Sequence, residues 1–152
     1  MRNQLPGAPI IFLLYCSIIF CAGCGELRTA NLTSKLQRQI KQEEYERIYN
    51  ESSLKLRRSI GEREFIDKLK SAVRVMKNAD PELNWKNSPA NFDSYGTAEG
   101  ELKSYNVHRV LGQNEDVFVS MEFLEEKSGV GKLNFIRVHD LTTQPGSMIS
   151  IP

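Results

Sequence analysis

The residue with the most distinctive chemistry in the chain is Cys24, which closes the run Cys21-Ala22-Gly23-Cys24. A thiol is a soft nucleophile that can be alkylated to a thioether. Small residues before it allow an extended segment to enter a peptidase, so bond cleavage and thiol modification can occur at one place. The sequence holds 3 Cys, at positions 16, 21 and 24. Cleavage before Cys24 therefore leaves one thiol, and no disulfide can form within the remaining chain. Other chemistry is sparse. The 2 His, His108 and His139, stand far apart with no cysteine beside them, a poor basis for a zinc site. Neither a phosphate-cradling glycine loop nor a Gly-x-Ser-x-Gly elbow is present. Arg57-Arg58, with Lys55, reads as a solvated face rather than an anion site.

The elements around Cys24 give it a context. Residues 10–22 form an apolar run whose length suits a signal-peptide core of about 7–15 residues and falls short of the ~20 that a spanning helix needs. Arg2 is the only basic side chain before the run, and no acid occurs before Glu26. Cys21-Ala22-Gly23-Cys24 resembles the lipobox of bacterial lipoproteins, with Cys21 standing where Leu is usual. The resemblance implies diacylglycerol on Cys24, cleavage before it and a further acyl chain on the freed amine. Two or more chains hold a protein stably in a bilayer, whereas one holds it marginally. It also implies an exported domain on the cell membrane or, in a two-membrane host, the outer membrane, since Gly25 rather than Asp follows the cysteine, as in lipoproteins passed on to that membrane. An ordinary signal peptide cut near Ala22 or Gly23 is the alternative. In that case the two sequons, Asn31-Leu32-Thr33 and Asn50-Glu51-Ser52, would matter in a glycosylating host.

The formal charge is +1 and falls to zero when Arg2 leaves with residues 1–23, so the charge balance points to neither nucleic acid nor anionic lipid as a partner. Four segments are expected: a signal peptide over 1–23, the lipidated cysteine and a tether over 24–33, an α+β domain over 34–141, and an irregular tail over 142–152. A helix is expected from Ser34, where Ser34-Lys35-Leu36-Gln37 has capping-box spacing, through Asn50, with Leu36, Ile40, Tyr45, Ile48 and Tyr49 as its apolar stripe. A short helical turn follows around Leu54, Leu56 and Ile60. Ser59 opens a second capping signal before the helical spacing of Phe65, Ile66, Leu69, Ala72, Val73 and Met76, which Asp80-Pro81 ends. Residues 79–100 read as loop with a short strand over 91–98; its aromatic residues, Trp85, Phe92 and Tyr95, either line a pocket or plug the open end of the core.

Period-2 alternation then predicts strands over 103–111, 116–124 and 132–139, with Leu133 and Phe135 on one side of the last and Ile136 and Val138 on the other. Helices followed by an antiparallel meander give an α+β domain with the helices on one sheet face.

Tyr45-Glu46-Arg47-Ile48-Tyr49, Ser52-Ser53, Leu56-Arg57, Glu64-Phe65 and Leu69 together resemble the opening of small bacterial lipoproteins with a nuclear-transport-factor-two-like, or cystatin-like, domain. The resemblance covers roughly residues 32–140. It implies a curved sheet covered by a helix, and a pocket between them that Trp85, Phe92 and Tyr95 would line if they do not plug the open end of the core. Enzymes of that fold class, such as ketosteroid-isomerase-like proteins, place an acid or histidine inside the cone; the candidates here are His108, His139, Asp93, Asp116 and Asp140. His108 alternates with Val107 and is expected to face solvent, and His139-Asp140 lies at the end of the last strand, where a turn explains it more simply than catalysis, so no catalytic residue is assigned. The expectation is a non-enzymatic envelope module, without a cofactor or metal, that binds a protein or a small apolar ligand near the membrane. A pocket enzyme and a freely secreted protein are the alternatives.

Overall fold

The computed structural model describes residues 29–87, 94–98, 102–125, 129–142 and 147–152. Among the described residues four helices come first: α1 over 29–41, α2 (Tyr45–Glu51), α3 (Leu54–Ser59) and α4 (Glu62–Ala79). Six strands follow: β1 (Lys86–Asn87), β2 (Ser94–Ala98), β3 (Leu102–Leu111), β4 (Val117–Glu125), β5 (Gly131–Asp140) and β6 (Ser147–Ile151). The α+β class is as expected, with more strands than the three-stranded meander.

α1 differs from the expected helix at both ends. Residues 29–33, read as tether, are helical, and Thr29, Thr33, Leu36 and Ile40 form its buried stripe. Ser34 lies inside the helix and caps nothing. The helix then stops at 41, where the Glu44 N–H bonds to Gln39 O (2.9 Å) and the Glu43 N–H to Ile40 O (3.1 Å). This is the Schellman arrangement, and Glu43, at φ 58°, occupies the left-handed position that glycine usually takes. Its carboxylate meets Lys77 Nζ at 3.1 Å, tying the break to α4. The chain turns into α2, whose Tyr45 and Ile48 are buried as the stripe requires.

α4 is the central helix. Phe65, Leu69, Ala72, Val73 and Met76 line its buried side at helical spacing. Full burial of side chains of that size contributes about 1.5–3 kcal/mol each. Gly61 precedes it as N-cap; Ser59 instead ends α3, its hydroxyl donating to Leu56 O. Asp80 closes the helix and accepts the N–H groups of Glu82 and Asn84, which turns the chain toward β1.

All the strand pairings are antiparallel, in the order β1-β3-β4-β5-β6, with β2 on β3 beyond β1. Gly112, at φ 89°, opens the expected hairpin between β3 and β4. Register places Val107, Met121, Ile136 and Ile151 in one row across four strands, none more than 1 % exposed. The helices cover this row, with α4 against β4, β5 and β6.

Two strand expectations are corrected. Phe123 pairs with Leu133 while Glu122 pairs with Phe135, so Asn134 is the extra residue of a β-bulge. The bulge resets the alternation, and Leu133, Ile136 and Val138 all turn inward instead of dividing between two faces. The tail expected to be irregular contains β6, which pairs from Ile136↔Ile151 to Asp140↔Ser147 and buries Ile151 completely. Ile151→Ala should therefore cost about 2–5 kcal/mol in urea unfolding of the protein, as for other buried Ile truncations. A loss within about 0.5 kcal/mol would mean that the tail does not complete the core.

Candidate functional site

Cys24, the residue with the clearest chemical signature, lies outside the described residues, five positions before Thr29. Thr29 and Thr33 are buried at the start of α1, and the Thr33 hydroxyl donates to Thr29 O at 2.7 Å, satisfying itself within the helix. Between them Leu32 packs on the core and closes against β5. A Cβ on Gly131 would come within 2.5 Å of Leu32 Cδ1, so the bare backbone at the start of β5 is what lets the helix approach. Asn31, Leu32, Tyr105, Glu125, Val130 and Gly131 border an open depression of about 210 Å³ there. The Tyr105 hydroxyl donates to Glu125 at its rim. Deeper in, between α1, α2 and β5, a hole of about 30 Å³ has room for one water.

A charged cluster fixes α1 against α2 beside this hole. Glu51 accepts from Lys35 Nζ (2.8 Å) and Gln39 Nε2 (2.9 Å) on one oxygen and from Arg47 Nε (2.9 Å) on the other. These partners, Lys35 first, bring its carboxyl down to about 2 against burial, which raises it and is the second-largest influence.

The other candidates are dispersed. His108 does not project freely into solvent. It is half-buried on the sheet face away from the helices, with Nδ1 3.0 Å from Ser120 Oγ and its ring stacked on Phe118 at 5.4 Å. His139 lies near the end of β5, as expected, where it is the cross-strand partner of Phe118. Asp140 accepts the Thr142 hydroxyl (2.6 Å) and N–H (2.9 Å), bonds that lower its pKa and assign it to a chain turn. The Asp116 carbonyl receives the Leu141 N–H, in the loop that opens β4. Asp93 and Phe92 lie outside the described residues. Trp85 packs against the core, and its buried indole N–H meets no acceptor among the described residues. Tyr95 sits in β2 opposite Tyr105. Among the described residues no three His, Cys, Asp or Glu gather to hold a metal, and no helix is long and apolar enough to cross a membrane.

Sequence reading missed Arg109 as a buried cation. It follows the inward alternation of β3, is 8 % exposed, and donates from Nη1 to His108 O at 2.7 Å. The alternation signalled its burial, but nothing local signalled its partners. No family model, curated protein or solved structure matches the chain.

Glu51 yields a pH test. Its carboxyl titrates at about 2 in the folded protein against an ordinary 4.5, so its stabilisation is complete above 4.5 and disappears as the pH falls toward 2. Because the group is more than a third exposed, that contribution is about 1 kcal/mol or less. Glu51→Gln should thus be less stable than wild type at pH 7, with the gap closing between pH 4.5 and 2. A gap that persists at pH 2 would trace it to packing instead.

Proposed function

We propose that the chain is a lipid-anchored protein of the bacterial envelope whose α+β domain acts as a non-enzymatic binding or interaction module. The observation that carries this reading is the run Cys21-Ala22-Gly23-Cys24 at the end of an apolar segment of signal-peptide length. The fold is compatible with such a role. Helical structure already runs at Thr29, so at most about 18 Å of extended chain separates Cys24 from the folded body. An anchored domain would be held against the membrane rather than on a long stalk.

The finer fold assignment, a nuclear-transport-factor-two-like cone, belongs to the same proposal. Helices confined to one face of an antiparallel sheet support it, as does the bulge at Asn134, since bulges bend and twist the strands that carry them. In such a cone the binding surface would be an end or edge of the domain. The space between helices and sheet is filled at Phe65, Leu69, Met76, Val107, Met121 and Ile136, all fully buried.

Intact mass spectrometry of membrane fractions from a bacterial host expressing wild type and Cys24→Ser tests the anchor. The wild-type chain should begin at an acylated Cys24, and the variant should retain its signal segment. A soluble, unacylated wild-type chain cut elsewhere would favour the freely secreted alternative.

A further inference from the structure

The three strands β3, β4 and β5 run between two poles. At one is the Gly112 hairpin; at the other, about 27 Å away along the nine residues of β4, lie Gly129 and Val130. The start of α1 belongs to the second pole, because Leu32 lies against Gly131 and shares the depression with Val130. The start of α3 belongs there too: the Ser53 N–H is bonded to Leu133 O, two residues past Gly131. Large apolar side chains are exposed at both ends, Val130 at 55 % and Leu54 at 45 % here and Leu141 at 54 % beside Asp116 at the Gly112 end, so the bases and the chain length, not apolar exposure, distinguish this pole. Beside Leu54, Lys55 and Arg58 are exposed, and no carboxylate among the described residues pairs with either. Arg58 follows Leu54 by four positions and shares its side of α3.

We propose that this pole rests on the bilayer, with Val130 and Leu54 among the lipid headgroups and Lys55 and Arg58 against lipid phosphates. The inference rests on acylation of Cys24 and adds an orientation to it. Chain length selects the bilayer as the occupant: a lipid on Cys24 lies within about 18 Å of Thr29, and Thr29 opens the helix whose next turn touches this pole. Basic side chains beside exposed apolar ones suit an anionic, amphipathic surface. The net charge gave no such indication because it averages over the chain, whereas the six residues of α3 hold Lys55, Arg57 and Arg58 and no acid.

The test uses the acylated full-length protein in vesicles of phosphatidylethanolamine and phosphatidylglycerol. With Cys24 acylated, Val130→Cys supplies the one free thiol for a nitrobenzoxadiazole label, and Asn114→Cys supplies the control at the opposite pole. Both positions are exposed, so neither substitution opens the core. The label at 130 should be several-fold brighter and blue-shifted relative to the label at 114. Equal emission from protein whose mass shows the acyl chains would overturn the orientation and leave the anchor standing. A mass without acyl chains, accompanied by a second labelled thiol, would remove the anchor and the orientation with it.

Discussion

The fold depends on a buried joint at Ser53. That residue is fully buried with every polar group engaged. Its N–H donates to Leu133 O at 2.8 Å and its C=O accepts from the Arg57 N–H at 3.1 Å. Its hydroxyl accepts from the Leu56 N–H at 3.0 Å, capping α3, and donates to Asn134 Oδ1 at 2.7 Å. Burying a serine away from water is costly unless those bonds are made, so the position tolerates one arrangement of helix against sheet. β6 covers β5 only from Ile136 onward, and the Leu133 carbonyl takes its hydrogen from the helical layer instead.

The bulge gives the joint its partner. As the residue without a cross-strand mate, Asn134 directs its amide nitrogen to Glu122 Oε2 at 3.0 Å, and Glu122 accepts from the Ser104 hydroxyl at 2.7 Å on its other oxygen. A polar chain thus runs from the cap of α3 through β5 and β4 to β3, and each link satisfies the next. The same local irregularity turns Leu133 inward beside Ile136 and brings the start of α3 to the end of the sheet where α1 begins. The pole carrying Val130 and Leu54 is a by-product of this joint.

Periodicity made α4 and the three long strands legible, since Phe65 to Met76 and Val117 to Phe123 repeat at helical and strand spacing. The turn at Gly112 was equally plain. Other features were hidden by residues acting against type. Thr29, Thr33 and Gln39 are polar yet buried, so α1 looked like tether at its start. Glu43 takes a left-handed conformation without being glycine, so the break before α2 left no mark. Asn134 shifts the alternation by one, which reverses any face assignment that crosses it. β6 is brief and follows Pro145-Gly146, and only its pairing with β5 makes it a strand. At the candidate site, Cys24 was readable as a motif, whereas the approach of Leu32 to Val130 and Gly131 required the tertiary fold.

A double-mutant cycle on Ser53→Ala and Asn134→Ala, followed by urea unfolding of the protein, tests the joint most directly. Each single change leaves a buried hydrogen-bonding group unpaired, and the double change removes both. Their losses should therefore overlap, leaving a coupling of about 1 kcal/mol or more between the two sites. Additivity within about 0.5 kcal/mol would show that the two side chains act independently and would contradict the joint as the organising constraint.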